Sequence, residues 1–173
     1  MKKIKLTEIL PSDKATLVQL LSDKEIYNNT LRIPYPYTEE NAEDFLSYIK
    51  DTQEKMLIQR HWAIRFKSSK ELIGVIGVEQ PDPYNSHRNE IGYWLGKNYR
   101  GQGIMTDAIC VLCEQLFEER KLLHRLQATV YEHNPASGKV LEKAGFTYEG
   151  MLKDYVIKDG IYLNVKMYAR LRS

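Results

Sequence analysis

The sequence predicts an α/β (α+β) protein built from about seven strands and about four helices, on three observations. Runs with the period of a strand and runs with the period of a helix alternate along the chain. Three successive strand-like runs, Trp62 to Phe66, Leu72 to Val78 and Glu90 to Leu95, are joined by turn-forming residues, and the chain closes on two further runs with a hairpin signal between them. At 173 residues, 43% apolar and 28% charged, the chain can fill a packed core, which excludes a disordered tail, a collagen-like repeat and a low-complexity linker.

Each element has its own signature. Ile4 to Ile9 opens as a short strand, and Ser12 or Asp13 then caps a helix whose Leu17, Leu20 and Leu21 share one face. Thr38 is the N-cap of a second helix, with Glu39 and Glu40 at its positive end and Ala42, Phe45, Leu46 and Ile49 at i, i+3, i+4, i+7. The three strands that follow are separated by Ser68-Ser69-Lys70 and by the turn-rich Pro81 to Ser86, and form an antiparallel meander. From Gln102 to about Glu119 a long helix carries Met105, Ile109, Leu112 and Leu116 on one face with Ala108, Val111 and Cys113 beside them, the wide apolar surface of a buried helix. Arg125 to Tyr131 is a strand and Pro135 to Ala144 a helix stopped by Gly145. Phe146 to Ile157 and Ile161 to Tyr168 form a hairpin turned at Lys158-Asp159-Gly160. With no linker and no internal repeat, residues 1–173 are expected to be a single domain.

Several function classes fall away. The formal net charge of +2 lacks the footprint of a dedicated nucleic-acid binder, so any phosphate affinity is local and no nucleic-acid partner is expected. The longest uninterrupted apolar stretch, Leu72 to Val78, is far below the ~20 residues that span a bilayer, and Lys5 and Glu8 interrupt any signal-peptide core. These features predict a soluble, cytoplasmic protein with no membrane partner. Cys110 and Cys113 alone make neither a disulfide framework nor a zinc site, so no metal is expected and both read as reduced core residues.

The most informative segment is Glu90 to Thr106, where a strand runs through a Gly-rich loop into the buried helix. Unpaired N–H groups of a helix's first turn converge at such a junction, the macrodipole adds roughly half a positive charge, and glycines let phosphate oxygens reach the backbone. Arg100 adds a full charge at the rim. Alternatively Gly101 and Gly103 merely make the turn. A Walker A loop is absent, and a dinucleotide fingerprint would need Gly or Ala where Thr106 stands.

The pattern that fits is Arg/Gln-x-x-Gly-x-Gly/Ala, the acyl-CoA pyrophosphate loop of the GCN5-related N-acetyltransferase superfamily, which Arg100-Gly101-Gln102-Gly103-Ile104-Met105 resembles, with Met105 departing at the last position. The resemblance covers nearly the whole chain. It is most similar to the branch that includes the ribosomal-protein alanine N-acetyltransferases, through Pro34 to Ala42, Glu90 to Leu95, Tyr99 to Gly103, Asn134 to Ser137 and Leu141 to Phe146. The resemblance implies a mixed, mostly antiparallel sheet flanked by helices, with acetyl-CoA as co-substrate where the fourth and fifth strands splay apart. It implies cofactor contacts from Trp94, Leu95, Arg100, Gly101, Gln102, Gly103, Ile104, Met105, Thr106, Asn134 and Ser137.

The acid–base residues are less direct. Many superfamily members carry a tyrosine seven residues after the Asn as the acid for the departing thiolate, and this chain has Leu141; Ser137, or a water it holds, is the substitute the branch suggests. Ser137 shares a helical face with Val140, Leu141 and Ala144 and so is expected to point toward the sheet. An acceptor amine is protonated at pH 7, and Glu90 is the candidate base, as the superfamily often places a carboxylate there. Glu90 could equally pair with Arg88 or His87 or lie at the sheet surface. His133 and Asp154 are weaker candidates. Tyr27, Tyr35, Tyr37, Tyr84, Tyr155 and Tyr162 fall in or beside loops; Tyr35 and Tyr37, with Glu90, are the acceptor-binding candidates, and Glu39, Glu40 or Glu149 could attract the acceptor's charge. Asn164 stands where the family pattern often has Asp. The expected activity is acetyl transfer from acetyl-CoA to a primary amine, of a protein or peptide N-terminus or of a small molecule, by a monomer or homodimer. The alternative is a non-catalytic acyl-CoA or nucleotide-binding module.

Overall fold

In the computed structural model, which describes residues 3–56, 59–79 and 84–172, twelve main elements follow one another. They are β1 (Ile4–Thr7), α1 (Lys14–Leu21), α2 (Lys24–Asn29), α3 (Glu39–Met56), β2 (His61–Phe66), β3 (Leu72–Val78) and β4 (Arg88–Leu95), then α4 (Ile104–Glu119), β5 (Arg125–Tyr131), α5 (Pro135–Lys143), β6 (Thr147–Lys158) and β7 (Ile161–Leu171). The strands are ordered β1-β2-β3-β4-β5-β7-β6. β4 and β5 run parallel, while β1–β2, β2–β3, β5–β7 and β6–β7 are antiparallel. The expected α/β class and mixed, mostly antiparallel sheet are therefore observed. The helix that the sequence does not announce is α2, whose six residues are too few to display a period. Its signal is Asp23, whose Oδ1 accepts the Glu25 N–H at 2.9 Å as an N-cap.

Backbone contacts divide the chain into two units, Met1–Gly77 with Tyr93–Ile104, and Val78–Gly92 with Met105–Ser173. In the first, β1 pairs with β2 from Ile4↔Phe66 to Thr7↔Ala63. β3 is buried at every position, as a strand of consecutive apolar and glycine residues must be. Its glycines permit close packing: a Cβ at Gly74 would lie 2.6 Å from the Trp94 carbonyl oxygen, and one at Gly77 2.7 Å from the His61 ring. Leu17, Leu21, Ile26, Tyr37, Ala42, Ala63, Leu72, Val75 and Trp94 belong to one apolar cluster, with Phe45, Leu46 and Ile49 of α3 against it. The α3 cap is reciprocal: Thr38 Oγ1 accepts the Asn41 N–H at 3.2 Å, and Asn41 Oδ1 accepts the Thr38 N–H at 2.9 Å.

The expected cap of α1 is corrected. Asp13 has φ −80° and ψ −8°, already helical, and makes no side-chain cap. Its carboxylate is instead buried, accepting the Leu10 N–H at 2.8 Å and pairing with Arg65 at 3.0 and 2.6 Å. Arg65 also donates to Thr7 Oγ1 and to the Glu8 and Lys70 carbonyls, so the buried ion pair is fully hydrogen-bonded.

In the second unit α4 buries Ala108, Ile109, Leu112, Cys113 and Leu116 completely. The β6–β7 hairpin turns at Asp159 and Gly160, with φ 52° and 77°, the left-handed pair of a type I′ turn. The β6 register slips between Leu152 and Val156 around Asp154, whose φ is 50°. Of the expected Pro81 to Ser86 turn, residues 81–83 lie outside the described residues.

Candidate functional site

The Gly-rich loop lies between two buried anchors. Trp94 and Leu95 end β4 at 9% and 8% exposure, and Ile104 and Met105 open α4 at 6% each. Met105, where the pattern has Gly or Ala, thus turns its side chain inward and leaves its amide to the helix terminus. Between the anchors Gly101 and Gly103 have φ of 74° and 75°, and a Cβ added to either meets no atom within 4 Å. Glycine is required there by the backbone angle and by nothing the chain itself places nearby. The space a Cβ would enter is open to an oxyanion, which fits a pyrophosphate seat at the N-terminus of α4. Gln102 braces the loop by donating to the Asn98 carbonyl at 3.0 Å, and Thr106 is half-buried in the first helical turn.

Arg100 is not the free rim cation that the sequence suggests. Its Nε donates to the Leu95 carbonyl at 3.0 Å, and its guanidinium pairs with Asp23 at 2.7 Å and Glu25 at 2.8 Å. Two carboxylates at the start of α2 absorb its charge, so it fixes the loop's entry.

Glu90, in the second unit, is half-buried and bound by neutral donors: Thr129 Oγ1 donates to Oε1 at 2.7 Å, and Gln127 Nε2 to Oε2 at 3.4 Å. It pairs with neither Arg88 nor His87, and has no cationic partner among the described residues; the His87 carbonyl takes the N–H groups of His124 and Arg125. The β4–β5 register runs through three pairs from Arg88↔Arg125 to Glu90↔Gln127, so Glu90 stands where that pairing ends while β4 continues to Leu95. Gln127 and Thr129 are residues that sequence reasoning missed, although their alternation on β5 marks them as facing one side.

Asn134 caps α5 as expected, its Oδ1 accepting the Ser137 N–H at 3.3 Å with Pro135 at the first helical position. The inward face of α5 is Gly138, Leu141 and Ala144, whereas Ser137 and Val140 are half-buried on its flank. That corrects the expectation that Ser137 points straight at the sheet: Gly138 takes the position, where a Cβ would lie 2.6 Å from Tyr168 Oη. Leu141 is 0% exposed and offers no proton.

The tyrosines separate. Tyr37 is a core residue at 6% exposure, its hydroxyl donating to the Asn41 carbonyl at 3.2 Å and pushed up to about 12 by burial and by Asp44. Tyr35 is 45% exposed, its ring 5.9 Å from that of Tyr27. Tyr84, Tyr155 and Tyr162 are exposed. Glu149 is committed to Arg125 at 2.8 and 2.6 Å, which holds its carboxyl below the usual range. Asn164 spans Glu132 and the Asp154 N–H at 2.9 and 3.0 Å, a donor and an acceptor role that Asp could not combine. Burial pushes the Cys113 thiol up to about 12. Among the described residues no cluster could hold a metal ion and no helix is long and apolar enough to cross a membrane.

Comparison with known proteins gives concordant results. The family profile described as "Acetyltransferase (GNAT) domain" matches residues 3–147. The chain is 32% identical to an uncharacterized N-acetyltransferase, p20, of Bacillus licheniformis, over 99% of this chain and 94% of that protein. It is 35% identical to a ribosomal-protein-serine acetyltransferase of Escherichia coli strain K12, over 76% of each. In fold it is similar to the microcin C7 self immunity acetyltransferase MccE, solved with acetyl-CoA and AMP, at a TM-score of 0.87 and 21% identity over 99% of this chain and 94% of that one.

Proposed function

This chain belongs to the GNAT acetyltransferase family and is an N-acetyltransferase, and from that premise we propose that it moves an acetyl group from acetyl-CoA to a primary amine by direct attack in a ternary complex. The observation that carries the proposal is the pair of positive-φ glycines opening α4. Backbone N–H groups from Gly101 to Thr106 hold the pyrophosphate, the macrodipole adds to their pull, and backbone groups at Trp94 and Leu95 align the pantetheine arm. Arg100 supports this seat through its clamp on Asp23 and Glu25. Acetyl-CoA supplies an acyl group already activated as a thioester.

The remaining chemistry belongs to the side chains. An amine must shed a proton before it can attack. Glu90, held by two neutral donors and with no cationic partner among the described residues, is the acceptor of that proton, directly or through water. Asn134 lines the arm beside Ser137, and Ser137 assists thiolate departure where Leu141 cannot. Orientation supplies much of the rate. Similarity to the ribosomal-protein-serine acetyltransferase supports a protein or peptide N-terminus as acceptor, with a small-molecule amine as the other possibility. Tyr35, with Tyr27 beside it, is the aromatic wall for it, and Tyr37 supports that wall from the core. Residues 1–173 act as one domain, in the cytoplasm, as a monomer or homodimer.

The test is release of free thiol from acetyl-CoA with peptides, polyamines and aminoglycosides as acceptors. Amine-dependent release is expected; a folded protein that releases none with any amine overturns the proposal.

A further inference from the structure

Tyr131, the last residue of β5, has a role that the residues above do not fill. It is 8% exposed, and its hydroxyl oxygen is sealed from solvent with no hydrogen-bond partner among the described residues. A buried hydroxyl left unpaired costs about 1–3 kcal/mol, and folded proteins retain few such groups. A donor kept in that condition is suited to a partner that arrives from outside the chain.

Its position says which partner. Successive residues of a strand face opposite sides, so Gln127, Thr129 and Tyr131 form one row on β5. The first two hold the Glu90 carboxylate at 3.4 and 2.7 Å. Tyr131 is next, about 7 Å beyond Thr129 along the strand. Its ring is steadied by the His133 ring, centroids 5.4 Å apart, and its backbone by the Tyr131↔Val165 register. Burial, with the charge of Asp159, holds the phenol above the usual tyrosine value, so at neutral pH it is a neutral donor.

We infer that Tyr131 Oη donates a hydrogen bond to the carbonyl oxygen beside the amine that Glu90 deprotonates, and so selects a peptide N-terminus over an amine with no carbonyl. The inference rests on the acetyl transfer proposed above. In an N-terminal residue the nitrogen and the carbonyl oxygen lie about 3 Å apart. A hydrogen bond of about 2.8 Å at each end extends that to about 9 Å, so a peptide N-terminus can reach two polar groups set one above the other on a single strand face. Because the oxygen is sealed, the acceptor displaces whatever covers it to make this bond.

The experiment compares wild type with Tyr131→Phe, which removes only the hydroxyl, using an Ala-initiated tetrapeptide and 1,4-diaminobutane as acceptors. The variant is expected to raise the peptide KM about tenfold, to leave the acetyl-CoA KM and any diamine KM unchanged, and to keep or raise Tm because an unpaired buried group is gone. An unchanged peptide KM in an active enzyme overturns this inference alone, as does an equal loss with both acceptors, a Tm lowered by several degrees, or a wild type that acetylates only the diamine. Where the peptide is the only substrate, the peptide KM, acetyl-CoA KM and Tm decide. A wild type inert toward every amine overturns the proposed function, and this inference with it.

Discussion

In the function proposed above, Gly103 and Glu90 matter for two unlike reasons. At Gly103 the reason is the backbone: with φ of 75° a side chain costs about 1–2 kcal/mol, and the space it would fill is the seat proposed for the pyrophosphate. We predict that wild type binds acetyl-CoA at about −7 to −8 kcal/mol and that Gly103→Val stays folded but loses at least tenfold in affinity by calorimetry; a folded variant with wild-type affinity would remove the loop from the site. At Glu90 the reason is charge. Glu90→Gln preserves the shape between Thr129 and Gln127 but accepts no proton, and should lower kcat/KM by about 10²-fold or more while acetyl-CoA affinity holds. Ser137→Ala should reduce kcat more than acetyl-CoA binding. Wild-type rates for both across pH would leave orientation as the whole of catalysis.

Among the elements, α5 is set by two constraints. Asn134 and Pro135 fix where it starts, and Gly138 fixes how closely it lies over Tyr168 of β7. Gly138→Ala would drive a methyl group within 2.6 Å of Tyr168 Oη, so chemical denaturation should show a loss of about 1–3 kcal/mol. Tyr168→Phe in the same chain should restore part of it, since the next atom met is Cζ at 3.2 Å. No rescue would mean that the backbone of α5, rather than this contact, takes the strain. The caps and turns of such elements are legible in sequence because a cap is a local hydrogen bond: Thr38, Asn134 and Asp159-Gly160 all occupy the positions expected of them. Asp13 is the counterexample. It has the residue type of a cap, but Arg65, fifty-two positions away, takes its carboxylate.

For the molecule as a whole, acid stability should depend on Glu149. Its folded pKa is depressed, chiefly by the hydrogen bond from Arg125, so the contribution is present above the unfolded glutamate value of about 4.3 and is lost as pH falls through the folded value. Melting curves of wild type and Glu149→Gln should therefore differ at pH 7 and converge in acid; a gap that persists below pH 3 would assign the effect to packing. What the sequence determined by itself was what periodicity and short-range chemistry carry: the α/β class, the seven strands, the Gly-rich junction before α4 and the cap of α5. Only the tertiary structure decided which partners the charged and polar residues take. Arg100 turned to Asp23 and Glu25, Glu90 to Thr129 and Gln127, Tyr37 to the core, and Tyr131 was left without a partner among the described residues. The physical reason is range: a helix or strand period repeats within a few residues, whereas an ion pair or a buried hydroxyl depends on groups that the chain brings together from tens of positions apart.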